Sequence, residues 1–229
     1  ISGAGGTRIL LVDQNASGGF ATIQDAINAA VDGDTILIAS GTYSEDLTVS
    51  NKAISIVGAG AGAQIVGTIL VSDTMAVADL MRFANISIDA TGKSYGISVR
   101  SSSADVPGVN GGSVVLDGVS IENANEVGFF YAHPSNGSNP INADTIGAIS
   151  ILNSTFADNG QLVTGARGQG HVNLFGFNGN LTVDTVTMTG PAANLGDAFF
   201  RGGSVLTGGT ANPDKAFSGQ TLRIFAVGH

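Results

Sequence analysis

The chain has no cysteine and no tryptophan, five prolines, three histidines, and nine Lys plus Arg against eighteen Asp plus Glu in 229 residues. Without cysteine there is no disulfide framework and no thiolate metal site. A formal charge of −9 opposes phosphate-backbone binding, which draws its affinity from dense cationic contacts, so no nucleic-acid partner is expected. No apolar run approaches the roughly 20 residues that a membrane helix takes, so no membrane span is expected. The opening Ile1-Ser2-Gly3 shows no basic-then-apolar leader, although a processed chain would read the same way. What is plentiful is glycine, 34 residues, within a composition that is 43% hydrophobic. Turns are therefore many, and the apolar content suffices for one core. The expected organisation is a single domain, 1–229, with a first strand and cap helix in 1–34 and repeating structure in 35–229.

One stretch organises the rest. Thr22 can cap a helix with Asp25 three residues on, and Ile23, Ala26, Ile27, Ala30 and Val31 fall on one apolar stripe, which predicts a helix over 22–31. After Asp32-Gly33-Asp34 the period changes to two. Ile36 and Ile38 oppose Leu37, Gly41-Thr42-Tyr43 reads as a turn, and 47–49 and 54–57 read as strands. Residues 7–12 read as an earlier strand and 64–71 as a later one. From residue 81 a unit recurs: 81–89 (MRFANISID), 114–122 (VVLDGVSIE), 149–157 (ISILNSTFA) and 181–189 (LTVDTVTMT). The anchors Phe83, Leu116, Ile151 and Val183 match, and so do Ile88, Ile121, Phe156 and Met188 five residues later. Such a unit cannot bury its apolar face alone, and stacking neighbours supplies both core and ladder hydrogen bonds. Further on in each unit, Gly96, Gly128, Gly165 and Gly196 are expected to share a position, each starting another strand. A last strand is expected in 221–227.

The stretch TIQDAINAAVDGDTILIASGTYSEDLTVSNKAISIVGAG, 22–60, resembles the entry segment of right-handed parallel β-helix proteins of the pectin-lyase-like superfamily. The turn Gly41-x-Tyr43-x-Glu45 within it is also met in pectin methylesterases. The resemblance implies an all-β fold, a right-handed single-stranded parallel β-helix whose N-terminal end is closed by a short capping α-helix. In that family a row of Arg, Lys, His and Tyr on stacked strands binds uronate carboxylates and removes a sugar proton.

Residues of those types stand on the strands expected after the registered glycines: Arg100, Tyr131, His133, Arg167, His171 and Arg201, three of the six arginines and two of the three histidines. Coils stack about 4.8 Å apart, so a shared register makes these six a ligand-binding ladder, with Tyr131, His133, Arg167 and His171 as candidate catalytic groups. The alternative reading makes Arg100 and Arg201 solvated strand ends, and lets His133 and His171 hold loops through backbone bonds.

Other signatures are missing. Asp117 and Asp184 share a repeat position with Ala84 and Leu152, so no carboxylate pair for glycoside hydrolysis forms. The calcium nonapeptide is absent, Asp13, Asp32, Asp34 and Asp144 are scattered, and no cofactor or metal is expected. Gly58-Ala-Gly60-Ala-Gly62 has no helix after it and reads as a turn. Of the sequons at Asn15, Asn85, Asn136, Asn153 and Asn180, Asn85 and Asn153 share a position and read as an asparagine ladder at a corner rather than as glycan acceptors.

Two functions follow. The first is a non-catalytic, secreted or cell-surface β-helix module of a bacterial protein, adhesin-like or scaffold-like, contacting a polysaccharide or cell-surface glycan through its loops. The alternative is a polysaccharide lyase or epimerase acting on acidic, uronate-containing glycans.

Overall fold

The computed structural model describes residues 7–15, 18–73, 79–101, 112–132, 147–160, 170–175, 180–190, 198–201 and 224–226. Strand β1 (Ile9–Val12) precedes the helix α1 (Ile23–Ala29). Then follow β2 (Thr35–Ile38), β3 (Gly41–Tyr43), β4 (Leu47–Ser50), β5 (Ser55–Gly58), β6 (Ala63–Val66) and β7 (Ile69–Asp73). The repeating units give β8 (Leu80–Ala84), β9 (Ser87–Asp89), β10 (Tyr95–Ser101), β11 (Ser113–Asp117), β12 (Ser120–Glu122), β13 (Val127–Ala132), β14 (Ala148–Leu152) and β15 (Thr155–Ala157). The last strands are β16 (Gly170–Phe175), β17 (Asn180–Asp184), β18 (Val186–Thr189), β19 (Ala198–Arg201) and β20 (Ile224–Ala226).

These strands form three sheets, all parallel. The first runs β1-β2-β5-β8-β11-β14-β17, the second β3-β6-β9-β12-β15-β18-β20, and the third β4-β7-β10-β13-β16-β19. From β2 to β19 the chain visits first, second and third sheet in turn, one strand in each, and then repeats. That cyclic order is compatible with a parallel β-helix, and one continuous apolar core from Leu10 to Met188 fills the space between the sheets.

The repeat register holds in two sheets. Leu116 pairs with Phe83 and with Ile151, and Ile151 with Val183; Ile121 pairs with Ile88 and Phe156, and Phe156 with Met188. All eight side chains are buried, because alternation on a parallel strand sends every second residue inward. The corner between first and second sheets is short, and the residues there, Asn85, Gly118, Asn153 and Thr185, all have positive φ between 49° and 66°. Asparagine and glycine are the residues that tolerate this conformation. Asn85 and Asn153 do share that corner, but Gly118 lies between them, so the expected asparagine ladder is interrupted. Asn153 Nδ2 instead donates to Asp117 Oδ1 at 3.0 Å.

Several local expectations are corrected. The helix ends at Ala29, and Val31 lies beyond it, 55% exposed. Gly41-Thr42-Tyr43 is a strand of the second sheet rather than a turn, with Tyr43 pointing into the core and bonding Ala39 O at 3.1 Å. The single strand expected over 64–71 is two strands on different sheets, split at Gly67, where φ is 154°. Gly165 lies outside the described residues, and the residue in register beyond Gly128 is His171: Val127 pairs with Gly170 and Phe129 with Val172. The segment 158–169 separates β15 from β16, longer than its counterparts, and counting from the anchor therefore misplaced the strand.

The cap is fastened by ions. Thr22 Oγ1 accepts from Asp25 N at 3.1 Å, and the carboxylate of Glu45, from the next coil, accepts from Ile23 N and Gln24 N at 2.9 and 3.0 Å. At the other end Lys52 Nζ donates to Ile27 O and Ala30 O at 2.9 and 2.8 Å. Helix ends leave such groups unsatisfied, and a carboxylate at one end and an ammonium at the other also match the helix dipole. Asp34, fully buried, accepts from Arg8 N, Arg8 Nε and Val31 N. It thereby ties the start of β1 to the exit of α1.

Candidate functional site

Four of the six ladder residues, Arg100, Tyr131, His171 and Arg201, lie on the third sheet, and its register decides which of them meet. One row of paired positions reads Ser50, Ser72, Arg100, Ala132, Phe175, Arg201, in which Ser50 and Arg100 are exposed. Arg100 and Arg201 thus share a position three coils apart, about 14 Å at the usual strand spacing; Arg201 is placed by its backbone register. Tyr131 belongs to the neighbouring row, Val49, Val71, Val99, Tyr131, Leu174, which faces the core, and it is fully buried. His133 and Arg167 lie outside the described residues.

His171 stands in the row of Gly96 and Gly128 and is 3% exposed. Asn159 Oδ1 accepts from Ala124 N at 3.0 Å, so its Nδ2 is the donating side; it serves Ile121 O at 2.9 Å and His171 Nδ1 at 3.2 Å. Nδ1 is therefore an acceptor here. The imidazole is tied through Asn159 to the backbone of the preceding coil, and it packs near the Phe156 ring.

Around Arg100 the outward face is built differently from a bare row of cations. Arg100 is exposed, its Nε donates to Ser98 Oγ at 3.3 Å, and its guanidinium carbon stands 5.6 Å from the centroid of the Tyr95 ring. Ser98, under that guanidinium, is buried. Tyr95 stacks on Phe130 of the next coil, with centroids 4.8 Å apart and planes at 14°. Its hydroxyl donates to Glu126 Oε2 at 3.3 Å, while Ser94 Oγ donates to Glu126 Oε1 at 2.9 Å. Burial, and then the charge of Glu126, push the Tyr95 phenol above its ordinary pKa. Lys93 pairs with Asp46 at 2.7 Å. Among the described residues no carboxylate pairs with Arg100.

A guanidinium laid against an aromatic ring and pinned by a hydroxyl has lost much of its rotamer freedom, and its remaining donors suit a planar, bidentate acceptor such as a carboxylate. Tyr95, Phe130 and Glu126 were not among the residues singled out in the sequence. The signal was present: Tyr95 and Val127 each precede a registered glycine, and Phe130, two residues after Gly128, falls outward by alternation. The run Gly128-Phe-Phe-Tyr131 sends Phe129 and Tyr131 into the core and Phe130 outward, and only the register separates them.

Elsewhere on the first sheet, Asp117 is held below the ordinary carboxylate range by the Asn153 amide and then by Arg82, whose Nη2 lies 3.1 Å away. Its row is Ala84, Asp117, Leu152, Asp184, so the two aspartates lie two coils apart, as the repeats indicated. Among the described residues no three His, Asp or Glu side chains are grouped to hold a metal ion, and no helix is long and apolar enough to cross a membrane. No known protein family, curated protein or solved structure matches the chain.

Proposed function

We propose that the chain is a right-handed parallel β-helix of the pectin-lyase-like kind, a non-catalytic module of a bacterial secreted or cell-surface protein that contacts acidic glycans on the outward face of its third sheet. The cap helix leading directly into short strands supports the family reading, and the strong preference of parallel crossovers for one hand supports the handedness. The observation that carries the glycan contact is Arg100. It is exposed, oriented by Ser98 and Tyr95, and without a carboxylate partner among the described residues. Arg201, at the same register three coils on, would give a ligand lying along the stack a second cationic contact.

The lyase or epimerase reading draws no such support. Tyr131 and His171, its candidate proton-transfer groups among the described residues, are both buried, whereas a general base must reach the substrate proton. Calorimetric titration with uronate oligosaccharides, and with neutral ones of equal length, tests the proposal. Wild type should bind the uronates, and Arg100→Ala should weaken that binding by about 1 to 3 kcal/mol, as losing a charged hydrogen-bond partner does, with the melting temperature nearly unchanged. Absence of uronate binding by wild type, or an unaffected variant, would remove the site. An ultraviolet band of unsaturated product during the titration would establish the lyase instead.

A further inference from the structure

The site at Arg100 holds a second charge. Glu126 has its backbone fixed on both sides, its N–H donating to Ser94 O at 3.0 Å and its carbonyl accepting from Gly170 N at 3.0 Å. Its carboxylate is fixed as well, by Ser94 Oγ on one oxygen and by the Tyr95 hydroxyl on the other. Arg100 lies against the same Tyr95 ring. Both charges reach that phenol: burial raises its pKa most, Glu126 adds to the rise and Arg100 opposes it. The two nevertheless do not pair with each other, and among the described residues neither has an opposite charge at ion-pair distance. A carboxylate offers about four acceptor positions, so two hydroxyl bonds neither fill Glu126 nor neutralise it. Arg100 is exposed, and Tyr95, Glu126 and Phe130 are half-buried, so the group is open to solvent.

We propose that this pair of fixed, opposite charges reads a zwitterionic unit of a glycan: a uronate carboxylate against Arg100 and the free ammonium of an adjoining amino sugar against Glu126. The inference rests on the acidic-glycan reading of the Arg100 site and names the sugar next to the acid. Charge complementarity carries it. Arg100 alone suits any carboxylate, but a polyuronate places another anion near Glu126, and like charges brought together oppose binding. The long-range field points the same way. A polyanion approaches a chain of net charge −9 against repulsion, whereas a glycan whose acids and amines balance does not. An ammonium suits a carboxylate already held by hydroxyls, because it is a compact charge with three donors that can turn to the open acceptor positions. One ring holds both charges and fixes their separation. The Arg100 guanidinium stands 5.6 Å from its centroid and Glu126 3.3 Å from its hydroxyl, a span within the reach of two linked sugars.

The test is calorimetric titration of the full chain with three oligosaccharides of equal length: an all-uronate one, one alternating uronate with an N-acetylated amino sugar, and the same molecule with its acetyl groups removed. Wild type should bind the deacetylated form about tenfold or more tightly than the acetylated one, the scale of a hydrogen bond to a charged group, and the all-uronate form least tightly. Glu126→Gln should bring the deacetylated and acetylated forms within about twofold of each other while binding the acetylated form as wild type does. Arg100→Ala should weaken both. Raising the pH until the sugar amine is neutral should erase the advantage in wild type, which gives an answer even where Glu126→Gln does not fold. Equal binding of the two forms by wild type, or an advantage that survives in Glu126→Gln, overturns the inference and leaves the acidic-glycan reading standing. A lysine–glutamate peptide that binds as tightly as the deacetylated form overturns the sugar as the ligand. Failure of every uronate-containing oligosaccharide to bind removes both readings.

Discussion

At the scale of single residues, the ionised and the strained positions make opposite predictions. Asp34 is held down to about 2, first by the Arg8 side chain, against an ordinary carboxylate value near 3.9. Because the folded state binds the carboxylate form more favourably, Asp34 contributes stability that is complete above the ordinary value and lost as the pH falls through about 2. The contribution is at most about 2 kcal/mol by linkage, since Arg8 is half exposed. Urea melts at pH 6 and pH 2.5 should therefore show the gap between wild type and Asp34→Asn narrowing in acid; a constant gap would mean the clasp is not ionic. Thr185 is the converse case. A β-branched residue with φ of 54° is costly where asparagine or glycine is not, and Thr185→Asn should stabilise the fold by about 1 kcal/mol in the same assay. Equal or lower stability would show that the Thr185 hydroxyl, which donates to Asp184 at 3.2 Å, matters more than the backbone.

At the scale of elements, α1 and the strands differ in how legible they were. The helix was readable from its apolar stripe and from Thr22 and Asp25, and the anchors Phe83 through Val183 were readable because their sheet and the next are joined by a corner of nearly fixed length. The third sheet was not. Its strands follow connections that run from 67–68 at the shortest to 158–169 at the longest, and no periodicity constrains an insertion. Hence His171, rather than Gly165, stands beside Gly128. The partners of Glu45 were hidden for another reason, since a carboxylate that caps a helix 22 residues earlier leaves no local pattern. Removing it has a definite consequence: Glu45→Ala should cost about 1 kcal/mol, the usual worth of an N-cap, and should raise amide exchange in α1 ahead of exchange in β5. If α1 and β5 respond alike, the helix is not a separately opening unit.

At the scale of the whole molecule, stability in a stack of coils is a sum over neighbours. Phe83 sits midway in the row Leu10, Ile36, Ile56, Phe83, Leu116, Ile151, Val183, every member of it buried. Phe83→Ala should cost about 3 to 5 kcal/mol, and by nearest-neighbour logic β5 and β11 should lose exchange protection before β2 or β17 does. Uniform loss along the row would show that the coils open as one body.

The unequal connections carry a last implication, for how such a chain can change. The four left-handed corners at Asn85, Gly118, Asn153 and Thr185 act as a spine of constant pitch, while the far side accommodates extra length without disturbing it. New segments, or whole duplicated coils, can enter along that far side with the alignment of core residues preserved. An insertion of even one residue between β8 and β9 would instead turn inside out everything that follows within the coil. From β8 onward, where that corner has its shortest form, growth is thus confined to the flank from which Arg100 and Tyr95 project.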